Sequence, residues 1–166
     1  MIILETTRLY LRNFINEDKE IIAEMYSDID TMRFIGTGIT FTPEQSMKST
    51  DKWNEYEIKH GFSNWAVVQK KDDKFIGKCG LNWLPGNSDI EISYILDKPY
   101  WGKGYATEIA GETLKYGFEK LGLKRITALV YPQNESSISV LNKIGMKYEK
   151  EIEFWNITFQ FYSAEN

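Results

Sequence analysis

Gly102 and Gly104, one residue apart in the run Trp101 to Ala106 (WGKGYA), are the residues of this chain with the clearest chemical use. Two glycines at that spacing let bare backbone approach a ligand closely. A helix starting just after them aims unpaired N–H groups and a positive dipole end at the same point. That is a phosphate cradle. Lys98 and Lys103 stand beside it and can add local charge, although lysines next to a loop are also ordinary solvated surface. A dinucleotide fold needs G-x-G-x-x-G directly off its first strand and an acid ending the next strand. Here the third glycine position is Thr107, and Ile126 to Tyr131 carries no acid. The absence of a G-x-x-x-x-G-K-[ST] run excludes P-loop chemistry.

The elements around the loop are legible from their periodicity. Ile90 to Leu96 alternates as a strand, and Ala106, Ile109, Ala110, Thr113, Leu114, Gly117, Phe118 and Leu121 keep one helical stripe that Gly122 closes. With Arg125 to Tyr131 as the next strand, the unit is a right-handed βαβ crossover, so its two strands are parallel. Upstream, Arg8 to Phe14 reads as a first strand, and Asn16, Glu17 and Asp18 as the cap and acidic start of a helix carrying Ile21, Ile22, Met25, Tyr26 and Ile29. Thr42 and Gly61 bracket a second helix across Pro43 to His60, whose poor apolar stripe predicts a peripheral position. Trp65 to Lys70, Phe75 to Trp83 and Ile90 to Leu96, joined at Lys71-Asp72-Asp73 and Pro85-Gly86-Asn87, form an antiparallel meander. A short helix over Ile138 to Ile144, closed by Gly145, precedes strands at Lys147 to Phe154 and Ile157 to Ser163. The expected fold is one α/β (α+β) domain over residues 1–166, with a mixed, mostly antiparallel seven-stranded sheet and about four helices.

Composition narrows the partners. The 166 residues are 42% hydrophobic, 27% charged and 14% aromatic, which suits a well-packed globule and excludes disorder. A net charge of -4 with no run of Lys and Arg argues against nucleic acid, and a small cationic acceptor suits the acidic surface. No apolar segment approaches membrane-spanning length, and MIILETTRLYLR lacks a signal-peptide core, so a cytoplasmic location is expected. Cys79 has no internal disulfide partner, and with only His60 beside it no metal site is expected.

A second constellation gives the loop a context. NESSISVLNKIGM, Asn134 to Met146, together with WGKGYATE, resembles the two acetyl-coenzyme A motifs of the GNAT acyltransferases, whose loop pattern is Q/R-x-x-G-x-G/A. Gly104 and Ala106 match its last two fixed positions, and Trp101 stands where that pattern has Gln or Arg. Trp at that place, the opening TTRLYLR and the segment EISYILDKPYWGKGYATE are similar to the ribosomal-protein N-terminal acetyltransferase branch. The resemblance implies that coenzyme A enters a V-shaped opening between Ile90 to Leu96 and Arg125 to Tyr131. Its pantetheine arm would then pair with main-chain groups of Tyr94, Ile95 and Leu96. Gly102, Lys103, Gly104, Tyr105, Ala106 and Thr107 would receive the pyrophosphate. Asn134 resembles the family's pantetheine-contacting Asn, and Lys143 lies near the cofactor rim; the competing roles are a helix cap for Asn134 and plain surface for Lys143.

Acyl transfer from a thioester to an amine needs a neutral amine, positioned attack, a stabilised oxyanion and a proton for the thiolate. Glu91 shares a strand face with Ser93 and Ile95 and matches the Glu of the family's EIGY-like segment, so it is the candidate base, through water; a Glu paired with a neighbouring Arg or Lys is the alternative. Backbone amide near Ile95 or Leu96 is the candidate oxyanion donor. Many family members carry a Tyr seven residues after the Asn of the second motif. Here Leu141 stands there, which makes Ser137 the candidate acid and is the one feature favouring a non-catalytic acetyl-CoA-binding module. A first-turn hydroxyl bonding backbone is the alternative for Ser137. Cys79 shares its strand face with Phe75, Leu81 and Trp83 as a small buried hydrophobe, and an acyl-cysteine route through it would lack a base. Phe34, Trp53, Phe62 and Trp155 are candidates to line an acceptor pocket made by the first two helices, the loop Ile35 to Phe41 and the last hairpin. The acceptor expected is a small-molecule or peptide amine, with a homodimer left open.

Overall fold

The computed structural model describes residues 1–86 and 88–166, so Asn87 of the expected Pro85-Gly86-Asn87 loop lies outside the described residues. Among the described residues eight strands form one sheet: β1 (Ile2–Glu5), β2 (Leu9–Arg12), β3 (Asn64–Gln69), β4 (Lys74–Trp83), β5 (Ile90–Leu96), β6 (Arg125–Val130), β7 (Lys147–Phe154) and β8 (Ile157–Glu165). Their spatial order is β1-β2-β3-β4-β5-β6-β8-β7. Every neighbouring pair is antiparallel except β5 and β6, which run parallel as the crossover requires.

Among the described residues five α-helices accompany the sheet: α1 (Asp18–Ser27), α2 (Ile29–Met32), α3 (Pro43–His60), α4 (Tyr105–Glu119) and α5 (Glu135–Lys143). The expected seven strands and four helices thus become eight and five. The added strand, β1, is an edge of only four residues, too short for alternation to announce. The added helix, α2, is a single turn capped by Asp28, whose carboxylate accepts from the Thr31 N–H at 2.9 Å.

Two apolar cores lie on opposite faces. Trp65, Cys79, Leu81, Ile92 and Tyr162 pack with Ile109, Ala110 and Leu114 of α4 and Leu141 of α5. On the other face Ala66, Val68, Phe75 and Ile95 pack with Ile22, Met25 and Tyr26 of α1, and Trp53 of α3 leans on them. A bulge in β4 decides which residue faces which core. Val67 pairs with Gly77 and Val68 with Phe75, leaving Ile76 as the extra residue. Phe75 is therefore turned away from Cys79, and Ile76 joins Cys79 and Leu81 instead, against simple alternation. Only glycine fits at the bulge, because a Cβ on Gly77 would stand 2.2 Å from the Ile95 carbonyl oxygen.

Helix ends follow local chemistry. Thr42 and Gln45 form a reciprocal capping box at α3, and only Ser46 and Thr50 of that helix are buried, as its weak stripe predicts. The expected cap at Asn16 is not used. Asp18 is drawn inward instead, accepting from Arg12 Nη1 at 2.6 Å, Arg12 Nη2 at 2.9 Å and the Ile15 N–H at 2.9 Å. At α5 the Asn134 side chain caps the helix, so it begins before Ile138. Among the described residues no helix is long and apolar enough to cross a membrane.

Candidate functional site

Strands β5 and β6 pair at one register point, Glu91 with Thr127, where Thr127 Oγ1 also donates to the Ile90 carbonyl at 3.1 Å. Beyond it their carboxyl-terminal halves separate into the V that the parallel pair was expected to make. A cavity of about 840 Å³ occupies this opening. From β5 it is lined by Glu91, Tyr94, Ile95 and Leu96; from the glycine turn and α4 by Trp101, Gly102, Gly104, Tyr105, Ala106 and Thr107; from α5 by Asn134, Ser137 and Lys143. One expected residue, Lys103, is not among its walls.

Backbone geometry makes the glycine turn a cradle. Gly104 is the N-cap of α4 at φ +77, a left-handed conformation that costs a non-glycine residue about 1–2 kcal/mol. Among the described residues, no intramolecular acceptor takes the six consecutive N–H groups from Gly102 to Thr107; the first amide of α4 to bond is Glu108, to the Gly104 carbonyl at 3.1 Å. Trp101 locks the turn to the strand, its indole Nε1 donating to the Leu96 carbonyl at 2.6 Å. Six open amides at a helix N-terminus suit a pyrophosphate.

The lysines are placed differently from expectation. Lys103 turns back, donating to the Pro99 carbonyl at 2.7 Å and lying over the Tyr100 ring. Lys98 is held between Asp28 Oδ1 at 2.9 Å and Asp30 Oδ2 at 2.8 Å. A cation at the cradle comes instead from Arg8, whose Nη1 donates to the Lys103 carbonyl at 3.0 Å and whose Nε pairs with Glu108 Oε2 at 2.6 Å. Its Nη2 comes within 3.5 Å of the position a Cβ on Gly104 would take. Nothing in the spacing of the N-terminal strands links Arg8 to a loop nearly a hundred residues away. Tyr105 borders the cavity, yet its hydroxyl is taken up by Gln69 in the core.

Glu91 keeps part of its surface open to the cavity and is otherwise enclosed by protein. Burial raises its carboxyl to about 7, opposed by the Leu129 N–H that it accepts across the V and by the positive charge of Lys78. It forms no ion pair among the described residues, so the alternative of a Glu paired with a neighbouring Arg or Lys is not what the structure shows; Lys78 acts on it only through space. A carboxyl that titrates near neutrality beside a cleft is suited to accept a proton.

Ser137 forms a hydroxyl pair with Tyr94, Oγ to Oη at 2.7 Å, and Tyr94 also donates to the Ser137 carbonyl at 3.3 Å. Burial raises the Tyr94 phenol well above its usual value, against the bond from Ser137, so it stays protonated. The Tyr94 hydroxyl therefore adds a side-chain group where only main chain was expected. Asn134 does cap α5, Oδ1 accepting from the Ser137 N–H at 3.2 Å, and it also lines the cavity. Leu141, at the expected tyrosine position, is buried in the α4 core.

Of the aromatic residues expected around the acceptor, Phe34 and Trp155 line the cavity together with Phe159. Phe62 does not; it packs with Tyr56 and Trp83 on the far side. Trp53 packs against Phe14 and Tyr26 and meets the site only through Lys78. Cys79 is buried, its Sγ 3.4 Å from Thr113 Oγ1, and burial raises its thiol to about 11. His60 stacks on Tyr56 at the end of α3. Among the described residues no cluster of three His, Cys, Asp or Glu is placed to hold a metal ion.

A model of the acetyltransferase (GNAT) domain matches residues 8–147. The chain belongs to the GNAT acetyltransferase family. An N-acetyltransferase of Bacillus licheniformis designated p20 is 31% identical over 147 residues, covering 88% of this chain and 83% of the relative. The crystal structure of a GNAT acetyltransferase from Bacillus anthracis superposes with a TM-score of 0.84 at 32% identity, covering 99% of this chain and 98% of that one. RimL, a ribosomal L7/L12 alpha-N-protein acetyltransferase solved in complex with coenzyme A, shares the fold at a TM-score of 0.83 and 15% identity, covering 99% of this chain and 98% of that one. As a GNAT protein the chain is an acyltransferase of a family that uses acetyl-CoA. The open amides, the V and the cavity of this GNAT chain fit that cofactor's pyrophosphate and extended arm.

Proposed function

We propose that this GNAT enzyme transfers the acetyl group of acetyl-CoA to a primary amine by direct attack within a ternary complex. The observation that carries this reading is that one cavity holds both the open-amide cradle and Glu91, an unpaired carboxyl titrating at about 7. Gly102 to Thr107 hold the pyrophosphate, with Arg8 adding charge, and Tyr94, Ile95 and Leu96 give main-chain groups to the pantetheine arm. Asn134 uses its amide nitrogen on the same arm, while Lys143 lies at the rim.

Glu91 takes the proton of the incoming ammonium through water, leaving a neutral nitrogen to attack the thioester carbonyl. A backbone N–H near Ile95 or Leu96 holds the developing oxyanion. As the intermediate collapses the leaving sulfur takes a proton from the Tyr94–Ser137 hydroxyl pair, the two being 2.7 Å apart, and the surplus proton shed by the new amide nitrogen passes through water to restore that pair. With Tyr94 in that role, Leu141 no longer speaks for a non-catalytic acetyl-CoA sensor. The acceptor class is a small-molecule amine or a peptide or protein N-terminus; RimL, by its name, acts on a protein α-amine.

Initial-velocity kinetics with an accepted amine test direct attack. Intersecting lines are expected. Parallel lines with an acetyl group trapped on Cys79 would contradict it, against the burial and raised thiol of that residue.

A further inference from the structure

Lys78 is a lysine in the middle of a central strand, buried, and one of the residues that line the cavity. It stands opposite Ile95 across the β4–β5 ladder, on the strand where the thioester is expected to lie, and its Nζ bends toward Ser93, between Glu91 and Ile95. An ammonium has three protons to place. Lys78 Nζ donates one to Asn64 Oδ1 at 3.1 Å and one to Ser93 Oγ at 3.4 Å, and it lies 5.2 Å from the centre of the Trp53 ring. All three neighbours are uncharged. No carboxylate forms an ion pair with Lys78 among the described residues, and Glu91 acts on it only through space. A buried cation without a counterion is costly, and proteins keep one where something else supplies the opposite charge.

The neighbours do not need the lysine for their own sake. Ser93 Oγ donates to Asn64 Oδ1 at 3.0 Å, and Asn64 Nδ2 donates to Asn82 Oδ1 at 3.0 Å, so this polar row is satisfied without Nζ. What remains is a buried positive charge on a residue of the cavity wall, felt through space by Glu91.

We propose that Lys78 binds a carboxylate carried by the acceptor on the carbon next to its amine, so that the acceptor class is a free α-amino acid. This rests on the reading of the site as an amine acetyltransferase. The amine then sits toward Glu91 and the carboxylate toward Lys78, with the side chain against Phe34, Trp155 and Phe159. The carboxylate takes the place of the missing counterion. Neither a peptide N-terminus, whose neighbouring carbonyl is an uncharged amide, nor a polyamine supplies that charge.

The experiment is calorimetric titration of the coenzyme-A-saturated protein near neutral pH with each common α-amino acid, its amide and its decarboxylated amine. The Lys78→Met and Lys78→Arg variants are titrated alongside. At least one amino acid should bind at least about tenfold more tightly than its amide and amine. Lys78→Met should erase that difference while Lys78→Arg keeps part of it. Equal binding of acid, amide and amine, or no binding of any amino acid, would overturn the proposal, as would a preference for the acid that survives Lys78→Met. Thermal melting verifies that Lys78→Met is folded. Thiol release with the bound amino acid and acetyl-CoA separates the two readings: binding that depends on Lys78 but yields no free thiol leaves the carboxylate subsite standing and refutes the acetyl transfer.

Discussion

Glu91 holds its proton until about pH 7 because burial penalises the carboxylate more than the Leu129 N–H and the Lys78 charge favour it. A base acts in its deprotonated form, so the acetylation rate should climb as pH passes through about 7. Glu91→Gln should lose that limb and cut kcat by at least about a hundredfold, a typical loss for a general base. A pH–rate profile unchanged by the substitution would remove Glu91 from the mechanism. Stability carries the opposite sign. A folded-state value of about 7 against an ordinary 4.5 means that folding favours the protonated carboxyl, so this contribution is full at acid pH and is lost as pH rises through 7. Glu91→Gln should therefore raise Tm relative to the parent more in mildly alkaline than in mildly acidic buffer. Glu91 is legible in the sequence as a candidate because its strand alternates cleanly and its segment resembles the family's EIGY-like motif. Lys78 and the Tyr94 hydroxyl were not: β4 changes faces at a bulge, and the partner of Tyr94 lies 43 positions away on α5.

At the scale of elements, the cradle depends on one left-handed residue at the start of α4 and on two clamps, Trp101 onto Leu96 and Arg8 onto Lys103 and Glu108. Gly104→Ala should destabilise the fold by about 1–2 kcal/mol, a fall of a few degrees in Tm, because the backbone stands at φ +77. It should raise KM for acetyl-CoA more than it lowers kcat, since the amides are proposed to bind the pyrophosphate rather than the reacting atoms. An unchanged KM would place the pyrophosphate elsewhere. Strongly periodic elements such as α4 and the β3–β4–β5 meander were readable because each buries one continuous face. The four-residue strand β1 and single-turn helix α2 were not, since their stability comes from partners distant in sequence. The motif loop was readable as a cradle, yet its charge was assigned to nearby Lys98 and Lys103 when folding delivers Arg8 from the other end of the chain.

Among the described residues the molecule is a sheet with a core on each face and a gap where its only parallel pair diverges. In the proposed function the cofactor and the acceptor reach one point, Glu91 to Leu96, from either end of the cavity these residues line. The proposed transfer of an acetyl group to an amine in this cavity is checked by mixing the protein with acetyl-CoA and a broad amine panel while following free thiol and acetylated amine together. At least one amine should yield thiol and acetylated product in equal amounts, at a rate strongly reduced by Glu91→Gln. Acetyl-CoA that binds and raises Tm, yet gives no thiol with any amine, would contradict it.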